Sequence, residues 1–496
     1  MKNILSVFCL LLVLAENSFS QAEQTGSAFL KKYTVTVKEI KEDLQILKRH
    51  LETVQAGLYT YTSKAKMDQV FDDIEASVNQ PISSIEFYRK IVPLLQHIKN
   101  GHTNIMPHLA YEEAINNSFT LFPFDVYFDK GSLYVLKNNS ANPSIKEGSV
   151  IKSINGEDAS SIFKELAVKS SRDGDNRTFP EMVTTLEFNK LYSKLKDVYP
   201  IYKTKFITPK NELLDIPVKG LTLKEIAENK LKRYKDDGKW WGETNNPVLK
   251  LKINNDIATM EIRTFSIYYA RRVKQKFKRF FNKAFDKIEE ANVKHLIIDL
   301  RYNGGGDEMP TIELLSHLLD KPFTFYKDMY TITNKVPNME LYDESKFEMN
   351  FLYPLFKLKR NGDVYRVKGI PGMKEVQPSK SVYKEKVYVL TNGLSFSATG
   401  EFASFLKNAD RAMFIGEEVG GNTNQNVSGT TVTLTLPNSK VRIRIPMELF
   451  KLNVSHEKTN HGVIPDYYVR PSITDKLTGK DPEMDFVLNM IKKTNK

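Results

Sequence analysis

Residues 386–402 read KVYVLTNGLSFSATGEF, and within them a strand pattern gives way to a helix pattern. The first six residues have an unbroken apolar centre, which is typical of a strand buried on both faces in a parallel sheet. The residues from Ser397 onward have the spacing of a helix. HLIIDL at 295–300 is a second buried strand, and helices between such strands imply crossover connections. These segments predict an α/β core.

Ser397 lies at the point where the strand gives way to the helix. A serine there exposes its hydroxyl at the carboxyl edge of the sheet, and the helix dipole and the next backbone N–H point at the same oxygen. This is the logic of a nucleophile elbow, although the GxSxG string is absent. A plain helix N-cap is the alternative, because serine is a preferred capping residue. The segment alone leaves both roles open.

The glycine-rich stretch DLRYNGGGD, residues 299–307, directly follows the other buried strand. Consecutive glycines allow close backbone approach and amides that converge on one point, which suits an anion or an oxyanion. The spacing is not the dinucleotide pattern GxGxxG, and no Lys-Ser/Thr pair follows as in a phosphate loop. A tight turn without a chemical role is the alternative.

The rest of the chain predicts further units. Apolar residues recur at helical spacing between residues 26 and 118. The chain then alternates as in a hairpin that turns at Lys130-Gly131, and Asn155-Gly156 predicts another tight turn. GTTVTLTLPNSKVRIRIP at 429–446 predicts an antiparallel hairpin. We divide the chain into residues 1–20, a helical unit at 21–118, a unit at 119–220 and an α/β unit at 221–496.

Length, charge and cysteine content exclude several classes of protein. At 496 residues the chain is too long for one compact core. The net charge of +12 is dispersed without blocks of like charge, which indicates a solvated basic surface rather than a nucleic-acid interface. The one cysteine, Cys9, lies in the amino-terminal apolar run, so the chain beyond it holds no disulfide or cysteine nucleophile. With no HExxH and no clustered ligands, we predict no metal and no other cofactor.

The amino terminus has the pattern of a secretory signal peptide. Lys2 precedes an apolar run at 4–15, and small residues follow at Ser18 and Ser20. The run is too short to span a membrane. We therefore expect cleavage just before Gln21 and a periplasmic or secreted mature chain without a membrane span.

Several motifs resemble one family, the tail-specific serine peptidases, which include the tricorn core and the C-terminal processing peptidases. DLRYNGGG resembles its Asp-Leu-Arg-x-Asn-x-Gly-Gly signature, LSFSATGEFA its nucleophile segment, and NHGVIPDYYV its closing Gly-x-x-Pro-Asp stretch. SVIKSINGEDA is similar to the second half of the PDZ domain of many members, and IKNGHTNIMP to the start of the tricorn-like branch. The resemblance implies a PDZ-like domain at 119–220 and a crotonase-like α/β catalytic core with a mixed sheet at 221–496.

The resemblance also implies roles for residues of this chain. Ser397 aligns with the nucleophile, and the oxyanion amides would come from Ala398 and from Gly305 or Gly306. The processing branch takes its general base from a lysine further along the chain, but the corresponding position here is Asn422. A Ser-Lys pair is therefore not expected.

The tricorn-like branch instead takes a histidine from a segment ahead of the PDZ domain, and His102 in NGHTN occupies that place. Asn100 departs from the aspartate that the family more often has before this Gly-His. His461, in the closing stretch, is the rival for the base. The third member should be an acid that orients the imidazole. The resemblance assigns it to Glu457, and Asp466 of the closing stretch is a second acid nearby, with a turn-forming or capping role as its alternative.

The activity that the resemblance implies is hydrolysis of peptide bonds by an exported serine peptidase, through an acyl-enzyme, with peptides or proteins as partners. A relative without catalysis that binds peptides or hydrophobic ligands in the same cleft is the main alternative. An esterase of the α/β-hydrolase type is disfavoured because GxSxG and the later Asp and His are missing. A basic surface-binding module is disfavoured because the charge is dispersed.

Overall fold

The structure is a computed structural model that describes residues 32–234, 246–455 and 459–494. Its first part is mainly helical, and apolar residues at the predicted spacing line the buried side of the first helix. The helices are α1 (Val37–Val54), α2 (Lys64–Ala76), α3 (Ser84–Ile91), α4 (Leu95–Ile98) and α5 (Leu109–Asn117), with a 3-10 turn at Val92–Leu94; the strands are β1 (Thr34–Val35), β2 (Ile82–Ser83) and β3 (Asn104–Met106). None of the helices in these three ranges has the length and apolar content of a membrane-spanning segment.

The second part is an antiparallel sheet with two helices on it. Its strands are β4 (Phe124–Asp129), β5 (Ser132–Asn138), β6 (Val150–Ile154), β7 (Glu157–Asp158), β8 (Ile201–Ile207) and β9 (Leu213–Lys219), and its helices are α6 (Ala159–Val168), α7 (Thr178–Leu195) and α8 (Leu223–Arg233). The sheet order is β4-β5-β6-β8-β9, with β7 on β6. Both predicted turns are present, because Lys130-Gly131 and Asn155-Gly156 have positive φ at each position. The core of this part is continuous with that of the amino-terminal helices.

The third part contains the remaining elements in chain order. The strands are β10 (Leu249–Asn254), β11 (Ile257–Ile262), β12 (His295–Asp299), β13 (Tyr326–Thr331), β14 (Leu358–Asn361), β15 (Val364–Val367), β16 (Lys386–Thr391), β17 (Met413–Gly416), β18 (Gln425–Thr435), β19 (Arg442–Leu452) and β20 (Tyr467–Tyr468). The helices are α9 (Ile267–Arg272), α10 (Phe277–Glu290), α11 (Glu308–Ser316), α12 (Tyr353–Lys357), α13 (Ala398–Asn408), α14 (Ile473–Thr478) and α15 (Pro482–Thr494), with a 3-10 turn at Met339–Leu341 and a π turn at Glu348–Leu352.

The central sheet has the order β10-β11-β12-β16-β17-β20, and only its β10–β11 pair is antiparallel. This mixed sheet with helices confirms the predicted α/β character of the core. Strands β12 and β16 are parallel neighbours, with Asp299 beside Leu390. The glycine-rich loop after β12 and the Ser397 turn after β16 therefore leave the sheet at the same edge.

A second sheet joins the first and third parts of the chain. Its order is β14-β15-β13-β19-β18, and the predicted hairpin at 429–446 forms the end of β18, the turn and the start of β19. Strand β3 pairs with β19, with Asn104 opposite Arg444. This pairing begins two residues after His102. It fixes the turn at residues 99–103, here called the histidine turn, against the part of the chain that carries Ser397.

Candidate active site

The turn between β16 and α13 holds Ser397 in a strained backbone conformation. Its φ of 57° and ψ of −128° form a combination that residues other than glycine rarely adopt. A strained serine between a strand and a helix is the mark of a nucleophile elbow. The hydroxyl makes no capping hydrogen bond to α13. Instead, its Oγ lies 3.1 Å from Nε2 of His102, which is 295 positions away in the sequence.

Asn100 organises the turn that carries the histidine. Its Oδ1 accepts hydrogen bonds from the backbone amides of His102 at 3.1 Å and Thr103 at 2.8 Å. Its Nδ2 donates to the carbonyl oxygen of Val427 on β18 at 3.1 Å. An aspartate could accept the first two bonds, but an ionised carboxylate could not donate the third. The bond to β18 therefore explains why an asparagine suits this position here.

The imidazole of His102 has an apolar environment. It stacks on the ring of Phe396 with centroids 4.6 Å apart, and its buried Nδ1 has no hydrogen-bond partner among the described residues. Burial, and to a lesser extent the charge of Arg444, lower the pKa of His102 to about 3. The ring is therefore neutral at physiological pH. In the tautomer with hydrogen on Nδ1, Nε2 can accept the Ser397 proton.

The glycine-rich loop approaches the nucleophile through Gly305. A Cβ at this position would lie 2.8 Å from Cβ of Ser397 and 2.9 Å from the nitrogen of Ala398, so only glycine fits. The amide of Gly305 donates to Oδ1 of Asn303 at 3.0 Å and is thereby engaged. The hydrogen bonds of the described residues include none from the amides of Gly306 and Ala398. Those two N–H groups stay available for an oxyanion.

The sheet around Ser397 and this loop also matches known proteins. Residues 256–469 match the family model of peptidase family S41. This part of the chain belongs to peptidase family S41. The matched residues, here called the S41 core, include Ser397, Gly305 and Gly306. His102 lies outside the S41 core and reaches it through tertiary contacts.

Solved structures are similar to the S41 core together with most of the remaining chain. A crystal structure of mature CPAF has a TM-score of 0.59 at 17% identity, over 89% of this chain and 95% of that one. Mature CPAF complexed with lactacystin has a TM-score of 0.61 at 17% identity, over 92% of this chain and 98% of that one. At this level of identity, the similarity shows that the folds correspond.

A curated relative covers a smaller share of the chain. An uncharacterized protein of Chlamydia muridarum (strain MoPn / Nigg) is 26% identical over 219 residues. The aligned part is 38% of this chain and 35% of that protein. The chain thus matches about a third of the length of this relative.

Other sequence-predicted candidates in the S41 core have partners of their own. Nδ1 of His461 lies 3.1 Å from Oε1 of Glu418. Lys407 forms an ion pair with Asp466. Asn422, at the position of the processing-branch lysine, donates to a backbone carbonyl at 2.8 Å. None of the hydrogen bonds found in the described part of the chain joins these residues to Ser397. The predicted acid Glu457 lies outside the described residues.

Ser395 and Arg301 brace the two loops. The fully buried Ser395 donates from Oγ to the carbonyl of Leu300 at 2.8 Å and accepts from the amide of Asn392 at 3.1 Å. Arg301 forms an ion pair at 2.6 Å with Asp481 near the carboxyl terminus. The Ser395 bond ties the nucleophile turn to the end of β12, and the Arg301 pair ties the glycine-rich loop to the carboxyl-terminal segment. In the three described ranges, no group of three or more His, Asp or Glu side chains is placed to hold a metal ion.

One buried acid beside the nucleophile was missed in the sequence. Glu401 lies one turn into α13 and is 3% exposed. It accepts hydrogen bonds from the hydroxyl of Tyr326 at 2.5 Å and from Nδ2 of Asn426 at 2.8 Å. Burial raises its pKa to about 7. The available signal was a carboxyl group in a helix whose first nine residues are otherwise small, apolar or hydroxyl-bearing.

We expect Glu401→Gln to change how stability depends on pH. Folded Glu401 retains its proton up to about pH 7, whereas in the unfolded chain it ionises near 4.5. Its contribution to the free energy of unfolding therefore falls as pH rises through this window. Glutamine stays neutral and does not lose this contribution. Between pH 5 and pH 8, the free energy of unfolding of the variant should therefore rise relative to that of wild type by on the order of 1–3 kcal/mol. Urea unfolding at both pH values measures this, and a difference between the proteins that is equal at both would contradict it.

Proposed function

We propose that this chain is an exported serine peptidase that hydrolyses peptide bonds through an acyl-enzyme on Ser397, with His102 as general base. The contact of 3.1 Å between Oγ of Ser397 and Nε2 of His102 carries the proposal. It joins a strained serine in an S41 core to a neutral imidazole, the two groups that acyl transfer needs. The substrate class, a peptide or protein, follows from the family.

Each of these residues has a role in one step of the proposed acyl transfer. Nε2 of His102 takes the hydroxyl proton while Oγ of Ser397 attacks the peptide carbonyl. The amides of Ala398 and Gly306 donate to the oxyanion, and Gly305 gives the loop its close approach. The imidazolium then returns its proton to the leaving amine, and water activated by the same imidazole hydrolyses the ester.

An orienting acid completes the proposed triad. Nδ1 of His102 is the atom that such an acid would contact, since Nε2 faces the serine. We assign Glu457 to this role on the family resemblance.

Export and peptide capture also belong to the proposal. The mature chain should start near Gln21, which amino-terminal sequencing tests. The PDZ-like sheet at 119–220 should capture an extended peptide by strand addition, which a peptide-binding measurement tests.

Labelling with a fluorophosphonate tests the proposal against its main alternative. An enzyme with an activated serine becomes covalently labelled and releases peptides from a protein mixture, with cleavage sites read by mass spectrometry. A non-catalytic relative that only binds peptides in the same cleft does neither. Within the described ranges, Nδ1 of His102 has no hydrogen-bond partner, and this observation favours the alternative. A folded wild-type protein that is neither labelled nor able to release peptides would support it.

The pH profile gives a second test. An ordinary imidazole pKa would make activity rise between about pH 6 and 8, but burial and the charge of Arg444 lower the pKa of His102 to about 3. Because the neutral form is the base, we expect kcat/KM to fall on acidification only below pH 6; this fall is the acid limb of the profile. Arg444→Gln removes a nearby cation, so it should raise the pH of the acid limb by up to about one unit.

Arg442→Gln is the matched control for this experiment. Arg442 lies two residues away on β19 but is paired with Glu112 and Asp343. Its replacement should leave the acid limb in place. A limb that moves equally in both variants, or in neither, would show that Arg444 does not set the charge state of the base.

A further inference from the structure

A short connector, residues 169–177, links α6 to α7 and contacts both halves of the proposed active site. It belongs to the part of the chain at 119–220, which lies outside the S41 match. Residues of this connector and the first turn of α7 contact the histidine turn on one side and the loops around the nucleophile on the other. The connector thus spans the elements that carry Ser397 and His102.

Hydrogen bonds tie the connector to the histidine turn. The amide of Gly101 donates to Oδ1 of the buried Asp173 at 2.7 Å. The connector's Gly174 amide donates to the carbonyl of Lys99 at 3.0 Å, and Oγ of Ser171 donates to the carbonyl of Thr103. The backbone on both sides of His102 is therefore held from the connector.

A stack of rings continues from α7 to the catalytic base. Phe179 stacks on Phe396 with centroids 4.2 Å apart and an interplanar angle of 26°. Phe396 stacks in turn on His102, at 4.6 Å and 28°. A Cβ on Gly101 would lie 2.6 Å from the Phe396 ring, so the glycine before the histidine leaves room for this stack. Phe396 directly precedes Ser397, so the ring that packs against the imidazole belongs to the turn that carries the nucleophile.

The nucleophile side is held as well. Nδ2 of Asn176 donates to the carbonyl of Val419 at 2.9 Å, and Oγ1 of Thr178 donates to the carbonyl of Glu418 at 2.8 Å. These carbonyls lie in the loop after β17, the strand next to β16. The connector is thereby anchored to the S41 core independently of its bonds to the histidine turn.

We propose that Asp173 and Phe179 are positioning residues that hold His102 in register with Ser397, so that the part at 119–220 completes the catalytic site. Asp173 fixes the backbone at Gly101, and Phe179 fixes the ring against which the imidazole lies. This inference rests on the proposed roles of Ser397 and His102. Small displacements of a catalytic group are costly to the rate, because proton transfer requires hydrogen-bond geometry.

The test compares Phe179→Ala and Asp173→Ala with wild type in the full-length chain. We expect kcat on a short peptide, and the rate of fluorophosphonate labelling, to fall by about 10- to 100-fold with KM within about twofold. Asp173→Asn should recover most of kcat, because an amide oxygen can still accept the Gly101 N–H. Phe179→Tyr keeps the ring and should recover most of kcat, whereas Phe179→Leu keeps apolar volume without the flat ring and should not.

Two variants from the same part of the chain control for stability. Phe128→Ala removes a half-buried ring that stacks on Phe163 at 4.4 Å, and Asp158→Ala removes a carboxylate that accepts a backbone amide at the start of α6. Both should keep kcat within about twofold of wild type at temperatures well below their Tm. If Phe179→Ala does not fold, Phe179→Leu decides the matter.

The outcomes separate this inference from the proposed function. If wild type is labelled on Ser397 while Phe179→Leu and Asp173→Ala turn over like wild type, the positioning role is wrong and the serine peptidase stands. A loss of kcat that the Phe128→Ala and Asp158→Ala controls share would also overturn the positioning role. If wild type is not labelled on Ser397, the proposed function itself fails.

Discussion

Ser397→Ala is expected to abolish covalent labelling and peptide hydrolysis while the protein stays folded. The strained turn presents this hydroxyl to Nε2 of His102, beside the amide of Ala398, which makes no hydrogen bond within the described ranges. Since the hydroxyl makes no capping hydrogen bond, its removal should change Tm little. Fluorophosphonate labelling and peptide release, with circular dichroism as the folding check, measure the effect. An active Ser397→Ala variant would rule out the assignment.

Ser395→Ala is the matched control, because the two serines are separated by a single residue. Ser395 is fully buried, and its hydroxyl bonds to the carbonyl of Leu300 and the amide of Asn392. Its loss should reduce stability by about 1–3 kcal/mol but leave the nucleophile in place. Labelling should persist, and mass spectrometry of the labelled peptide should find the adduct on Ser397. An adduct on Ser395 would reverse the two roles.

His102→Ala should reduce kcat/KM by about a thousandfold or more, as expected for the base of a serine hydrolase triad. The variant retains Ser397 and the oxyanion amides, so some activity over the uncatalysed reaction should persist. The histidine turn should stay folded, because Asn100 and the β3–β19 pairing hold it through backbone contacts. Steady-state kinetics on a peptide, together with the labelling rate, measure the loss.

Lys407→Ala and His461→Ala serve as controls for the identity of the base. Lys407 is paired with Asp466, and His461 contacts Glu418. Both replacements should leave kcat/KM within a few-fold of wild type, since surface ion pairs contribute only about 0–1 kcal/mol. An enzyme that is sensitive to the lysine and insensitive to His102 would belong mechanistically to the Ser-Lys branch.

Features that depend on neighbouring residues could be predicted from the sequence. The unbroken apolar centre of 386–391 predicted a buried strand, and the serine followed by a helix predicted a strand-to-helix turn; both are present. The Asn155-Gly156 turn and the hairpin at 429–446 were likewise predicted and are present. Each of these signals arises from backbone conformation and side-chain periodicity over a few residues, which local sequence encodes.

The way these elements meet depends on contacts between distant parts of the chain. His102 and Ser397 come together because β3 pairs with β19 and β12 lies beside β16. The structure also shows that the amide of Gly305 donates to the side chain of Asn303, whereas the amide of Gly306 makes no such bond among the described residues.

Burial decided the chemical state of the site for the same reason. The shifted pKa values of His102, Glu401 and Asp173 all have desolvation as their largest cause. Desolvation depends on which segments cover a group, and these covering segments come from distant parts of the chain. The residue types that can do the chemistry can therefore be recognised in the sequence. The distances between them, the amides available to an oxyanion and the protonation states follow from long-range packing, which no local pattern specifies.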